Sequence, residues 1–184
     1  METVTARSRN ALLIIDVQVS LVELIPAEIQ GSVLPRMAHW SRKHALPGRP
    51  SSTFSMMAPR GTCWSPVQGA GTFIPRSIHP PTSPSSENGN RTPFLKPCCK
   101  KELKKRGITH LIIAGGMTEY GIDTTCRRAT SLDYDVTLAR DAHLTRDNGV
   151  LTAANIIAHH NSVLDDFGAG DHLITVKPLG QIVF

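Results

Sequence analysis

The chain has 184 residues and a formal net charge of +5 at pH 7, a length sufficient for one ordinary domain with a sizeable core. No apolar run approaches the roughly 20 residues that a membrane-spanning helix requires. The first apolar run is too short and too soon interrupted for a signal peptide. The four cysteines show neither a metal-ligand spacing nor a disulfide framework, so we expect a cytoplasmic protein.

The basic residues are unevenly distributed along the chain. Residues 37–99 contain seven Lys or Arg and a single acid, Glu87, whereas the rest of the chain is close to neutral. The basic segment has no aromatic platform and no recognition-helix pattern, so we do not expect nucleic-acid binding. Its charge bears on solubility and loose association rather than on the fold.

The first predicted element is a buried strand. The run ALLIIDVQ, residues 11–18, has five apolar residues followed by an acid, which is typical of a parallel strand with Asp16 at its carboxyl end. Residues 19–36 predict a short amphipathic piece that is punctuated by Pro26 and Pro35.

Strands and helices alternate in the C-terminal half. The apolar patterns predict the end of a surface helix at 100–107 and further helices at 119–131 and 151–167. They predict strands at 109–115, 134–142 and 172–178. Gly107 is a candidate C-cap and Thr152 a candidate N-cap. The last helix is expected to bury a face that contains Ile156, His160, Val163 and Phe167. This alternation predicts an α/β fold with a mostly parallel sheet.

Residues 37–99 do not follow this pattern. The segment holds ten of the 13 prolines, three of the four cysteines and both tryptophans. It shows no apolar period of either 2.0 or 3.6, so we expect it to be irregular, as a disordered or lid-like loop rich in Pro and Ser.

Asp16 is the first candidate functional residue, because open α/β sheets position reacting groups at the carboxyl ends of their strands. The alternatives are a carboxylate that caps a helix or pairs with an arginine. The stretch from Gly116 to Gly121 resembles a phosphate loop only superficially, since the Gly-Lys-Ser/Thr ending of such a loop is missing.

The histidines do not predict a metal site. His159 and His160 are adjacent, whereas two zinc ligands on a helix are expected four residues apart. His143 is a candidate ligand, supporting group or helix cap, and a structural or solvated role is favoured for the histidines. Asp141 is expected to anchor the turn after its strand or to hold the site loop by hydrogen bonds. We expect no metal and no cofactor.

Three stretches carry a family resemblance: LIIDVQ, ITHLIIAGGMTEYGIDTTCRRATSLDYDVTLARDAHLT and IIAHHN. Together they resemble the isochorismatase-like cysteine hydrolases, which include isochorismatases and nicotinamidase-related enzymes, over about 10–36 and 100–184. The resemblance implies a three-layer α/β/α, Rossmann-like fold. It also implies a triad of Asp, Lys and Cys, and a cis peptide bond before the residue matching Met117.

The roles of the candidate residues follow from this resemblance. Asp16 matches the acid/base that accepts and returns a proton, and Gly121 matches the position of the nucleophilic cysteine. The family's oxyanion and substrate-binding turn corresponds to Gly116, Met117 and Thr118. In such a site a thiolate attacks a carbonyl carbon, and backbone N–H groups bind the developing oxyanion.

Two members of the triad are missing. Glycine stands at 121, and Cys126 cannot replace the thiol, because five helical residues separate the two by about 7.5 Å of rise and about 140° of rotation. Cys126 shares a helix face with Ile122 and Ala129, which indicates core packing. The lysine is also absent.

An out-of-frame segment would explain the missing lysine. Read two bases later, the codons of 53–59, 87–94 and 93–100 permit peptides that resemble the family, with a lysine spanning the codons of Glu87 and Asn88. We therefore hypothesise that about 37–99 is translated out of frame between two compensating insertions or deletions. A clean nucleotide sequence from a transcribed gene would contradict this hypothesis.

The sequence thus predicts a single domain, 1–184, of the isochorismatase-like hydrolase type. Its expected substrate is a small amide, carbamoyl or vinyl-ether compound, and its activity is expected to be impaired because position 121 is glycine and the family's lysine is absent. True isochorismatases do not require the cysteine, in which case Asp16 alone would be the acid/base, although TEY-x-x-D resembles the cysteine-dependent branch more closely. The alternative is a non-catalytic family member or gene remnant that serves as a binding or oligomerisation module. We expect a homo-oligomer with no membrane partner.

Overall fold

A computed structural model of the chain describes residues 10–17, 22–44, 53–56, 65–66 and 97–183. Within these ranges the strands are β1 (Asn10–Ile15), β2 (Thr53–Met56), β3 (Ser65–Pro66), β4 (His110–Gly116), β5 (Asp135–Leu144), β6 (Gly168–Ala169) and β7 (His172–Lys177). The helices are α1 (Ala27–His44), α2 (Pro97–Lys105), α3 (Asp123–Thr130) and α4 (Ala153–Leu164). A π-helical turn, Thr118–Ile122, directly precedes α3, and a 3-10 turn, Leu179–Gln181, follows β7.

The described strands form a sheet in the order β3-β2-β1-β4-β5-β7-β6. The five strands from β2 to β7 in this order pair in parallel, whereas β3 and β6 pair antiparallel with their neighbours. This arrangement confirms the mostly parallel α/β sheet that the alternation of strands and helices predicts.

Two apolar layers cover the two faces of the sheet. Alternate residues of β1 point to opposite faces: Leu12 and Ile14 belong to the layer on the α1 side, and Ala11, Leu13 and Ile15 belong to the layer on the α3 side. Helices therefore lie on both faces of a central sheet, as the predicted three-layer α/β/α architecture requires.

Helix α1 corrects the prediction for residues 19–36. It begins after Pro26, continues through Pro35 and ends only at His44. The buried residues Val33, Met37 and Trp40 share the face that packs on the sheet. Pro35 lies on the exposed face, where water can satisfy the carbonyl that a proline leaves unbonded, so its disruption of the helix is tolerated.

The predicted irregularity of 37–99 does not hold for all of the segment. Residues 37–44 continue α1, and Thr53–Met56 form β2, which pairs in parallel with β1 from Leu12 to Ile15. Backbone pairing requires no side-chain periodicity, which is why the apolar pattern missed this strand. Residues 65–66 form β3, and residues 97–99 begin α2. The rest of the segment, 45–52, 57–64 and 67–96, lies outside the described residues.

The predicted caps are confirmed. Gly107 has φ +63°, and the N–H groups of Gly107 and Ile108 donate to the carbonyls of Lys104 and Leu103, which is a Schellman motif. Thr152 Oγ1 accepts a hydrogen bond from the N–H of Asn155 at 3.3 Å.

The predicted buried face of α4 is only partly correct. Ile156 is buried, but Val163 is 38% exposed, and Ala153 and Leu164 are buried instead. The helix ends at Leu164 rather than at 167, so the apolar positions near its end follow the packing against α3 and not the extended helical period. No helix in the described part of the chain is long and apolar enough to cross a membrane.

Candidate active site

The ends of β1 and β4 lie side by side. Ile15 pairs with Gly115, so Asp16 and Gly116, the next residue of each strand, lie at the same carboxyl edge of the sheet. Gly115 has φ +116°, and a Cβ atom at this position would overlap the carbonyl oxygen of Ile15. Only glycine permits this close approach, which brings the two halves of the candidate site together.

Position 121 faces the carboxylate of Asp16. A Cβ atom at Gly121 would lie 3.5 Å from Asp16 Oδ2 and 3.3 Å from both Gly116 O and Ile15 Cγ2. A side chain at 121 would therefore contact the carboxylate directly. The structure thus brings together the two residues that the sequence predicts as acid/base and nucleophile position, while their roles stay predictions.

Asp16 is half-buried, and its backbone has φ +46°. Burial raises the pKa of its carboxyl group above the usual range, because the charged form loses solvation. Among the described residues no cation pairs with this carboxylate, and it caps no helix. Neither structural alternative for Asp16 is therefore seen in the described part of the chain.

The turn after β4 has the geometry that the resemblance implies. The Gly116–Met117 peptide bond is cis, which confirms that expectation. The carbonyl oxygen of Met117 accepts hydrogen bonds from the N–H groups of Tyr120 and Ile122 at 3.1 and 3.2 Å. This turn starts the helix formed by the π-helical turn and α3, residues 118–130, which we call the site helix. The first N–H groups of a helix have no intrahelical acceptor and are suited to bind a negatively charged oxygen.

A series of hydrogen bonds that begins in the core supports the start of the site helix. Thr118 Oγ1 lies 2.9 Å from His143 Nδ1, and His143 Nε2 lies 3.0 Å from Asn161 Oδ1. The amide of Asn161 donates from Nδ2 to the carbonyl oxygen of Arg140 at 3.1 Å, so its Oδ1 is the acceptor for His143. His143 therefore carries its proton on Nε2 and accepts from the Thr118 hydroxyl.

These hydrogen bonds decide among the three alternatives for His143 in favour of a supporting group. Burial lowers the pKa of His143 to about 4, and the hydrogen bond to Asn161 opposes that shift only in part. The neutral imidazole supports Thr118 and is neither an exposed ligand nor a helix cap. Sequence reasoning missed Asn161, because its partner lies 18 residues away on another element and leaves no local signal.

Glu119 is a second residue that sequence reasoning missed. Its Oε2 accepts a hydrogen bond from Thr145 Oγ1 at 2.6 Å. Its other oxygen, Oε1, is buried and has no hydrogen-bond partner among the described residues. The carboxylate thus fixes the first turn of the site helix to the end of β5.

Cys126 lies in the core, as the sequence predicts. It is fully buried beside Ile122 and Ala129. Burial raises the pKa of its thiol, with the charge of Asp123 acting in the same direction, so the reactive thiolate is disfavoured. No lysine pairs with Asp16 in the described ranges, and Glu87 and Asn88 lie outside them.

The prediction that Asp141 anchors the turn after its strand or holds the site loop is wrong. Asp141 Oδ1 accepts a hydrogen bond from the N–H of Leu179 at 2.7 Å, and Oδ2 lies 3.6 Å from Arg36 Nη1. It therefore holds the 3-10 turn after β7 and contacts α1, and it touches neither its own turn nor the site loop. This partner choice follows from the parallel pairing of β5 and β7, which brings the chain after β7 beside it.

The other histidines of interest lie on α4. The rings of His159 and His160 are 5.3 Å apart and nearly perpendicular, and His160 Nδ1 lies 2.9 Å from the carbonyl oxygen of Ile156. Within the described ranges, no three His, Cys, Asp or Glu side chains are grouped so that they could hold a metal ion.

Comparisons with known proteins agree with this architecture. Residues 81–162 match the family model of the isochorismatase domain. An isochorismatase from Pseudomonas putida KT2440 superimposes with a TM-score of 0.65 at 23% identity, over 95% of this chain and 90% of that chain. A proposed isochorismatase hydrolase from Oleispira antarctica gives a TM-score of 0.63 at 24% identity, over 97% and 98%.

A third structure, an isochorismatase-like hydrolase from Alkaliphilus metalliredigens, gives a TM-score of 0.59 at 15% identity, over 96% of each chain. No curated protein matches the chain in sequence. The fold is thus that of the isochorismatase-like α/β/α proteins. Together with the family-model match over residues 81–162, this fold supports the resemblance to the isochorismatase-like family that the sequence indicates.

Proposed function

We propose that this protein is a small-molecule hydrolase that works by proton transfer from Asp16, with a vinyl ether as its substrate class. One observation carries the proposal: a Cβ atom at position 121 would lie 3.5 Å from the Asp16 carboxylate, but the glycine there presents no side chain. A carboxyl group with a raised pKa is suited to act as a general acid. A site without a nucleophile is restricted to reactions that need none.

Vinyl-ether hydrolysis meets that restriction. The carboxyl group of Asp16 donates its proton to the terminal carbon of the vinyl group, which leaves a cation shared between the other vinyl carbon and the ether oxygen. Water adds to this carbon and gives up one proton, which forms a hemiketal. The proton that the water gives up returns to the Asp16 carboxylate. The hemiketal then breaks down to an alcohol and a ketone. The N–H groups at the start of the site helix would bind an anionic group of the substrate.

Amide and carbamoyl substrates form the other part of the predicted range. Their hydrolysis in this family type depends on a thiolate, and the sole cysteine among residues 100–183, Cys126, is buried in the core. We therefore propose that the protein as it stands is impaired toward these substrates.

The second candidate function is a non-catalytic binding or oligomerisation module. The same glycine at 121 favours it, because it removes the nucleophile of the family while the fold is retained. The distinction between the two proposals rests on whether Asp16 turns over a substrate.

The experiment compares the natural protein with Asp16→Asn, Gly121→Cys and Gly121→Ala on an enolpyruvyl ether, nicotinamide and a carbamoyl amide. We expect hydrolysis of the ether by the natural protein and a loss of roughly 10²–10⁴-fold in Asp16→Asn. Gly121→Ala is the matched control for Gly121→Cys, since both variants place a Cβ in the same 3.3 Å contacts.

Each result has a distinct meaning. Amide hydrolysis in Gly121→Cys alone, without ether hydrolysis in any form, would replace the proposal by an impaired cysteine hydrolase. Binding without turnover in every form would favour the non-catalytic module. Equal ether hydrolysis in Asp16→Asn and the natural protein would exclude Asp16 as the acid.

We further propose that the protein acts in the cytoplasm as a homo-oligomer. The cysteine pattern supports the reducing compartment. Light scattering coupled to size-exclusion chromatography tests the assembly, and a mass equal to one chain would contradict it.

A further inference from the structure

A groove of about 570 Å³ lies between α1 and α4. It forms where β5 continues to Leu144, while its pairing with β7 ends at Ala139 and Lys177. Its apolar lining comes from Ile29, Val33, Ala154, Ile157, Ala158 and Pro178. Asp16, Gly121 and the turn at 116–118 are not among the lining residues, so the groove is separate from the candidate active site.

The groove carries an excess positive charge. Arg36, Arg140 and Asp141 line it. The ion pair between Arg36 and Asp141 is long, at 3.6 Å, and the Arg36 side chain is 52% exposed. Asp141 is also engaged by the N–H of Leu179. The guanidinium of Arg140 has no ion-pair or hydrogen-bond partner among the described residues, so one cation faces the groove without a counter-charge.

The floor of the groove is fixed and neutral. His143 and Asn161 form part of it, and hydrogen bonds to Thr118, to each other and to the Arg140 carbonyl hold both side chains in place. A floor with its polar groups already bonded does not need to reorganise when a ligand binds. The guanidinium groups therefore select the charge of the ligand, and the apolar walls select its shape.

We propose that this groove binds a small organic carboxylate, with its carboxylate paired to Arg140 and its apolar body against Ile29, Val33 and Ile157. The volume lies within the range of about 300–1,000 Å³ that is usual for small-molecule sites. The planar fork of a guanidinium matches a carboxylate with two parallel hydrogen bonds. A neutral ligand would leave the cation unpaired, and a dianion would meet the carboxylate of Asp141.

Calorimetric titration with benzoate, phenylacetate and hexanoate, each compared with its neutral amide, tests this proposal. We expect binding of at least one carboxylate and binding of its amide that is weaker by roughly tenfold or more. Arg140→Met keeps the apolar stem and removes the charge, so it is expected to abolish that preference. Arg140→Lys is expected to retain part of it. Arg128→Met removes an exposed arginine of the site helix, outside the groove, and is expected to bind like the natural protein.

Two further measurements locate the ligand without relying on Arg140. Ala158→Phe fills the groove without changing its charge and is expected to abolish binding, whereas Asp16→Asn is expected to leave it unchanged. Anomalous scattering from crystals with 4-bromobenzoate is expected in the groove. Absence of binding by all three carboxylates, unchanged affinity in Arg140→Met, or loss of binding in Asp16→Asn would each overturn the proposal. None of these measurements depends on hydrolytic activity.

Discussion

Asp16 combines a left-handed backbone conformation with a carboxyl group of raised pKa. Its φ of +46° lies in the left-handed region, which aspartate and asparagine enter more readily than most residues. Asparagine is therefore the appropriate replacement, because it keeps the local backbone and replaces the ionisable carboxyl group by an amide of similar shape. Alanine would add strain and confuse a loss of chemistry with a loss of structure.

The first prediction concerns the pH dependence of hydrolysis. Burial raises the pKa of the Asp16 carboxyl, so its protonated form persists to a higher pH than in an exposed aspartate. If this form is the acid, kcat/KM for the vinyl ether will be highest at low pH and will fall as the pH rises through that pKa. A pH–rate profile measures this, and a rate that instead rises with pH over that range would identify a base.

The second prediction concerns Gly115. Gly115→Ala is expected to lower the free energy of unfolding by at least about 2 kcal/mol more than Gly149→Ala does, as measured by urea denaturation. Both glycines have positive φ, but a Cβ at 149 meets nothing within 4 Å, whereas one at 115 meets the Ile15 carbonyl. The comparison isolates the steric contact from the backbone conformation.

Gly31 provides the opposite control for that series. It lies within α1, and a Cβ there meets nothing within 4 Å. Gly31→Ala is expected to stabilise the protein by about 0.5–1 kcal/mol. Equal losses in Gly115→Ala and Gly149→Ala would show that the contact with Ile15 is relaxed at little cost.

At the scale of elements, the start of the site helix depends on β5 and α4. Thr118 is held by His143 of β5, and His143 by Asn161 of α4. Glu119 is held by Thr145, just after β5. The turn that presents Gly121 is thus fixed by β5, by the residue that follows it and by α4, and not by its own sequence alone.

The third prediction is a loss of stability in mild acid. Burial lowers the pKa of His143 to about 4 in the folded protein from 6.5, so the unfolded chain binds more protons between these values. The free energy of unfolding therefore falls as the pH drops from about 6.5 toward 4, by about 3 kcal/mol from this group at most. Denaturant titrations at several pH values measure this dependence.

The matched variants for that prediction are His143→Gln and His159→Gln. The first removes the buried titration and is expected to flatten the curve in this pH window. The second replaces an exposed histidine on α4 and is expected to leave the curve as it is in the natural protein. The same slope in His143→Gln and the natural protein would assign the effect to other groups.

Sequence reasoning predicted the elements whose signals are local. The apolar runs of β1 and β4, the caps at Gly107 and Thr152, and the core position of Cys126 follow from neighbouring residues. The continuation of α1 past Pro35 and the strand at Thr53–Met56 do not, because burial against the sheet and pairing with β1 decide them. Tertiary contacts override local propensity at these places.

The candidate site divides in the same way. Asp16 and the turn at 116–118 were predicted from strand ends and from family resemblance. Asn161 and the buried oxygen of Glu119 were not, because hydrogen bonds between distant elements leave no pattern in the sequence. Asp141 was assigned the wrong partners for that reason.

On the scale of the whole molecule, we propose that residues 1–184 form one domain. The two apolar layers share β1, β4 and β5 and lie on opposite faces of one sheet. Our fourth prediction is therefore a single cooperative thermal transition with equal calorimetric and van't Hoff enthalpies. Two separate transitions in the calorimeter would divide the chain into independent units.

The out-of-frame hypothesis for 37–99 also belongs to this scale. The family-model match begins at residue 81, which speaks against an out-of-frame origin for 81–99. The pairing of Thr53–Met56 beside β1 places a strand where the shifted reading also places one. Sequencing the transcript across codons 36–100 is the decisive measurement for the segment as a whole.

The contact between Gly115 and the Ile15 carbonyl has a consequence for how such a protein changes over time. The close approach of the two strand ends is set by main-chain atoms of Gly115 and Ile15, so it does not depend on which side chain stands at 121. A substitution at 121 would then change the side chain that faces Asp16 while the backbone that positions it stays the same. Single substitutions at 121 would then remove a thiol from this position or restore it without any change elsewhere in the fold.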